Sequence, residues 1–193
     1  MTLYTAITAK SGARLTATNV LVVVAGSLLL ALSAKIQVPF YPIPMSMQTF
    51  VVIGLGLALG SSLGWCTVLL YLAEGAAGLP VFAGTPEKGL GLAYMTGPTG
   101  GFLIGFLLAA ALAGWLAERG WDRNPLTAMA AALLAAAVIY VPGLIWLGSV
   151  IGFDRPVMQF GLIPFIPGDI AKALLAALVF PVAWKWLDAR GNR

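Results

Sequence analysis

The sequence predicts an all-α integral membrane protein with six transmembrane helices in one domain, residues 1–193, and three observations carry that reading. Only 9% of its residues are charged and 60% are hydrophobic, whereas about a quarter of a soluble domain is charged. Its apolar stretches reach about 20 residues, enough for a helix rising ~1.5 Å per residue to cross the hydrocarbon core. They also lack the strict alternation of barrel strands, and they are far longer than the ~10 residues such strands need. No hydrophilic block is long enough to fold separately. The net charge of +4 contains no dense basic cluster, so it reads as topology bias rather than nucleic-acid affinity. Cys66 is the only cysteine and histidine is absent, which rules out a disulfide within the chain and argues against a thiolate or imidazole metal site.

Residues 1–14 are a short polar segment carrying Lys10 and Arg14. The first span covers 15–34 and is closed by Lys35; Ala31-Leu32-Ser33-Ala34 imitates a signal-peptide cleavage site. The apolar core is longer than the ~7–15 residues of a signal peptide and further spans follow, so it reads as a helix. Pro39, Pro42 and Pro44 then forbid a helix. The second span is 45–59 with Ser46 as its N-cap, and Gly60-Ser61-Ser62 forms a turn. The third, 62–78, contains Glu74, and a glycine- and proline-rich connection over 79–98 carries Glu87 and Lys88. The fourth, fifth and sixth spans are 99–117, 125–147 and 167–187. A charged turn separates the fourth from the fifth, and a second long connection with Asp154-Arg155-Pro156 precedes the sixth.

Loop charges orient the bundle. With both termini cytoplasmic, the inside carries Lys10, Arg14, Arg119, Arg123, Lys185, Arg190 and Arg193, and the outside Lys35, Lys88 and Arg155. Seven against three follows the positive-inside rule. Asp169 and Lys172 then fall in the first two turns of the last span, on one side of the helix. A charge within a span costs about 2.5–3.5 kcal/mol, so the pair is either an internal ion pair or a ligand site. The N-terminus of the helix favours the carboxylate.

Gln48, Glu74, Lys35 and Lys88 lie at the same outer depth, which favours a ligand. Each also has a plainer reading as an interhelical hydrogen bond or an interface anchor. Phe40, Tyr41, Tyr71, Phe82, Tyr94 and Phe165 share that level, where an interfacial aromatic belt accounts for most of them. Acid, base, amide and aromatic groups together suit a small organic acid with an apolar body and polar N–H groups. Absence of Arg from the spans argues against a phosphate.

The chain shows no Walker A motif and no His-Glu-x-x-His, so no enzyme reading and no cofactor is supported, and energy for pumping has to come from elsewhere. A self-sufficient secondary transporter, the alternative, would want a polar path to the cytoplasmic half or an inverted repeat. The inner halves of these spans are almost pure Ala, Leu, Gly and Val.

Four segments, in order, resemble the BioY family, the biotin-binding S components of energy-coupling factor transporters. They are Pro44-Met45-Ser46-Met47-Gln48-Thr49, Tyr71-Leu72-Ala73-Glu74-Gly75-Ala76-Ala77-Gly78-Leu79-Pro80-Val81-Phe82, Gly97-Pro98-Thr99-Gly100-Gly101-Phe102 and Pro167-Gly168-Asp169-Ile170-Ala171-Lys172. The resemblance implies a multi-pass cell-membrane protein that holds biotin near the outer face. It also implies partnership with a membrane T component and two ABC-type ATPases. Asp169 would accept from a urea N–H, and Lys172 would meet the urea oxygen or the carboxylate. Gln48 and Glu74 are further partners, Lys88 is the basic residue of the loop after the third helix, and Tyr41, Tyr71 and Phe82 are aromatic contacts. The proline-rich connection would form a lid.

Gly97, Gly101, Gly105, Ala109, Ala113 and Ala117 give the fourth span a small-residue stripe, whose commoner use is packing within the bundle. By resemblance, the T component would dock on a small-residue face of the first helix, here Ser27 and Ala31.

Overall fold

In the computed structural model, residues 2–11, 15–38, 43 and 45–191 are described. Helix α1 (Leu3–Ser11) occupies the segment expected to be only a polar lead-in. It turns Leu3, Tyr4 and Ala6 inward, and the Tyr4 hydroxyl donates to Asn19 of the next helix.

That helix, α2 (Leu15–Lys35), is exposed along Val20, Leu21, Leu28 and Leu32 and buried along Ser27, Leu30, Ser33 and Ala34. The buried stripe repeats at three and four residues, the spacing of one helical face. Two short strands follow, β1 (Gln37–Val38) and β2 (Met45–Ser46), antiparallel with Gln37 opposite Ser46 and Val38 opposite Met45. The second predicted span therefore starts late: α3 runs Gln48–Leu59, and Met47 rather than Ser46 holds its N-cap position. The Ser46 hydroxyl still accepts from the Gln48 N–H at 3.3 Å.

Gly60, with φ of +90°, is the whole connection to α4 (Ser61–Ala76), so Ser61 and Ser62 are helical rather than part of a turn. Glu118 reaches across and accepts from both the N–H and the hydroxyl of Ser61, each at 2.8 Å, capping α4 where unpaired N–H groups favour a carboxylate. Short α5 (Gly91–Met95) lies in the connection before α6 (Gly100–Glu118). Helix α7 (Pro125–Ile151) outruns its predicted end by four residues, and α8 (Val157–Gly161) lies in the second long connection. The last helix, α9, is Ile166–Gly191. Asn124 caps α7 by accepting from the Leu126 N–H at 2.9 Å, with Pro125 at the first helical position.

Helix α6 lies at the centre, and its small residues explain why. A Cβ added to Gly101 would stand 2.3 Å from the Trp146 Cβ, and one on Gly105 would stand 2.6 Å from the Ile139 carbonyl oxygen. The stripe therefore closes α6 onto α7 inside the bundle.

Four stretches are long and apolar enough to cross a membrane: Ala17–Lys35, Gly100–Glu118, Pro125–Ile151 and Val157–Ala189. The predicted second and third spans are shorter helices of 12 and 16 residues.

At the end of the bundle where α6 turns into α7, Asp122 is fully buried. It accepts from the Trp184 indole N–H at 2.5 Å, and its other oxygen has no hydrogen-bond partner among the described residues. The Arg123 guanidinium lies 4.4 Å over the same indole ring. Burial pushes the Asp122 carboxyl above the usual carboxylate range, against the weaker downward pull of the Trp184 bond and the Arg123 charge.

Candidate ligand site

Near the other end of α9 the helices part around a cavity. Phe102, Leu103 and Phe106 of α6 and Ile139 of α7 give it an apolar body. Its polar lining includes Gln48 and Thr49 at the start of α3, Tyr140 of α7 and Lys172 of α9, together with Ser46, Tyr94 and Thr99.

Lys172 donates to the Thr49 hydroxyl at 2.6 Å and stands 3.6 Å from the Asp169 Oδ1. Asp169 is 9% exposed, and its Oδ2 accepts from the Tyr140 hydroxyl. Two opposite charges one turn apart are thus held by hydroxyl groups from two other helices. This is how buried charges are tolerated, because each is paired and hydrogen-bonded. Lys172 borders the cavity, whereas Asp169 is one step behind it, on a narrow crevice with Thr49 and Ala173.

Gln48 is 4% exposed, donates to the Tyr71 hydroxyl at 2.6 Å and accepts from Ser46 at 3.3 Å. Tyr71 in turn donates to the Val81 carbonyl at 3.1 Å. Tyr71 and Phe82, expected as ligand contacts, are buried behind the wall. Their rings meet edge-on at 5.4 Å, and Phe82 stacks on Tyr94 at 4.9 Å. A Cβ on Gly75 would collide with the Phe82 ring at 2.0 Å, so only glycine lets the ring lie over α4 there. Tyr71 and Phe82 shape the support of the wall rather than its inner surface, which Tyr94 reaches.

Other expectations also shift. Glu74 accepts from the Ser27 hydroxyl at 3.0 Å, joining α4 to α2 away from the cavity. Ser27 is therefore fully buried and presents no surface for docking, while Ala31 is partly buried against the core. Lys88 is exposed on the connection between α4 and α5 and does not border the cavity. Lys35 engages that loop instead: its ammonium donates to the carbonyls of Pro80 at 2.7 Å, Phe82 at 3.1 Å and Thr85 at 3.2 Å, and to the Thr85 hydroxyl at 3.2 Å. Tyr41 and the prolines of the expected lid lie outside the described residues.

Of the predicted ligand contacts, the structure brings Gln48, Lys172 and, one step behind, Asp169 to one place. The sequence reading missed Tyr140, Thr49, Phe102 and Phe106. Tyr140 carried a usable signal, as a polar-tipped ring in the middle of an apolar span. Among the described residues, no group of three or more His, Cys, Asp or Glu side chains could hold a metal ion.

A sequence profile of the BioY family matches residues 7–189, which include every residue of this cavity. The chain belongs to the BioY family. A probable biotin transporter BioY of Pyrococcus horikoshii is 40% identical over 151 residues, 78% of this chain and 86% of that protein. The biotin transporter BioY of Thermotoga maritima is 35% identical over 151 residues, again 78% of this chain and 86% of its own length. The fold resembles the crystal structure of an S-component for biotin from an ECF-type ABC transporter, with a TM-score of 0.73 at 24% identity, covering 88% of this chain and 92% of that one.

Proposed function

We propose that this chain is the biotin-binding membrane subunit of an energy-coupling factor transporter. It captures biotin from the outer face and delivers it when docked to a T component driven by two ABC-type ATPases. The observation that carries this reading is the cavity in a BioY-family chain, rimmed by Lys172, Tyr140 and Gln48 and backed by Asp169. Biotin has an apolar body, two urea N–H donors, one urea oxygen and a carboxylate. Phe102, Phe106 and Ile139 suit the body. An ammonium hydrogen of Lys172 suits the urea oxygen or the carboxylate, and the Tyr140 side of the rim, backed by Asp169, suits a urea N–H.

The same reading makes the chain a multi-pass plasma-membrane protein in which α2, α3, α4, α6, α7 and α9 are six spans with both termini cytoplasmic. It rests on the excess of basic residues on that side. Short α3 and α4 then span together with the polar connections above them. Docking on the T component falls on the exposed side of α2, along Leu21, Leu28 and Leu32.

Liposomes test the division of labour. Those holding this chain alone are expected to bind biotin without ATP-driven accumulation, and adding a T component with its ATPases is expected to supply uptake. Accumulation by the chain alone under an imposed proton or sodium gradient would replace this reading with a secondary transporter.

A further inference from the structure

Tyr140 has no part in the sequence reading, yet it touches both halves of the site. It borders the cavity, and its hydroxyl donates its single hydrogen to Asp169. Its ring stands edge-on to Phe102, 6.1 Å between centroids, which fixes the phenol against the apolar wall. With that hydrogen committed, the phenolic oxygen has only lone pairs left to offer, so towards a ligand it is an acceptor and not a donor. The hydrogen bond to a carboxylate also increases the electron density on that oxygen and strengthens it as an acceptor. Lys172, on the same rim, is the reverse: an ammonium that only donates, with one hydrogen directed to Thr49 at 2.6 Å.

An acceptor and a donor fixed on one rim match a ligand that presents an N–H beside a C=O, as a cyclic urea or amide does. We propose that Tyr140 is a specificity-determining residue of this cavity, its oxygen accepting from one ligand N–H while Asp169 acts through it by holding the hydroxyl in that orientation. The inference rests on the biotin reading above and deepens it by assigning which group meets the ureido N–H. A ligand whose N–H is replaced by oxygen would put two lone pairs face to face, and rejection of such a ligand is the expected signature. Sites built to hydrogen-bond a substrate N–H discriminate strongly because the group left unpaired is buried.

The test uses biotin and two analogues, each with one ureido N–H replaced by a ring oxygen of nearly the same size. Binding of radiolabelled ligand is measured in native membranes as well as in detergent, so that loss of protein is separated from loss of contact. Wild-type protein is expected to bind biotin and to reject one of the analogues by about tenfold or more. Tyr140→Phe, which keeps the ring against Phe102, is expected to lose about tenfold or more in biotin affinity and to bring the two ligands within about threefold of each other. If Tyr140→Phe weakens both ligands equally, or changes neither, the residue is structural and the assignment is overturned. If wild-type protein binds no biotin, the functional reading fails and this assignment falls with it. Biotin binding with intact discrimination in Tyr140→Phe overturns the assignment alone.

Discussion

Two buried aspartates stand at opposite ends of α9, roughly 20 Å apart along the helix, one on it and one against it. Asp169 and Asp122 are similarly hidden, and a reading by burial alone would treat them alike. Their surroundings separate them. Asp169 has an ammonium at 3.6 Å and a phenol hydrogen bond, and the groups that hold it form the wall of a cavity. Asp122 has one indole N–H and an oxygen without a partner among the described residues. The first arrangement presents donors and acceptors to a space that a molecule can fill. The second fastens the α6–α7 turn to the end of α9. A buried charge becomes a site only when its partners also face an opening.

Breaking the Asp169–Lys172 pair should produce the largest effect, and it should fall on binding. Asp169→Asn and Lys172→Met are each expected to weaken biotin binding by about 2–5 kcal/mol, roughly thirtyfold to a few thousandfold. A pair that only held the helices together would instead lower the melting temperature and leave the surviving protein binding normally. Measuring affinity and melting on the same preparations decides between them.

Asp122 should behave the opposite way. Asp122→Ala strands the buried Trp184 N–H and is expected to cost about 1–3 kcal/mol of stability while leaving biotin affinity unchanged. Affinity falling in step with stability would mean that the two ends are coupled.

A smaller effect sharpens the contrast through pH. Burial raises the Asp122 carboxyl, so the folded chain keeps a proton that the unfolded chain has already released. The stability that Asp122 costs is therefore greatest above its folded value and shrinks as pH falls through that value towards the ordinary carboxylate range of about 3.9. Wild-type protein should gain melting temperature relative to Asp122→Asn, whose amide does not titrate, as pH falls from neutral towards the ordinary carboxylate range of about 3.9. Parallel curves for the two proteins would remove Asp122 as the cause.

The same contrast shows what the sequence could and could not say. Long apolar runs make helices legible, and a charge inside one is conspicuous because it is expensive, so Asp169 and Lys172 stood out. Position along the axis was legible too, since it follows from counting along a helix. Rotation about the axis was not. Glu74 has the right depth, yet the packing of α4 on α2 turns it towards Ser27 and away from the cavity.

Loop paths were equally hidden. Lys35 and Lys88 are both basic, and only the course of residues 79–90 shows that Lys35 holds that loop by its carbonyls. Tyr71 and Phe82 looked like contacts because aromatics line ligands and also support walls, and composition does not distinguish the two. Helix α1 was missed because a nine-residue helix with polar ends carries too few apolar positions to show a period. The small-residue stripe of α6 was legible for the opposite reason, because close helix approach demands small side chains at a fixed spacing.

The central claim is that the cavity around Lys172 and Asp169 holds biotin. Calorimetric titration of the detergent-solubilised protein with biotin, with riboflavin and thiamine as controls, tests it most directly. The expected result is heat from biotin alone at one molecule per chain, lost in Asp169→Asn and Lys172→Met. Heat from a control vitamin only, or biotin heat that persists undiminished in both variants, would contradict it.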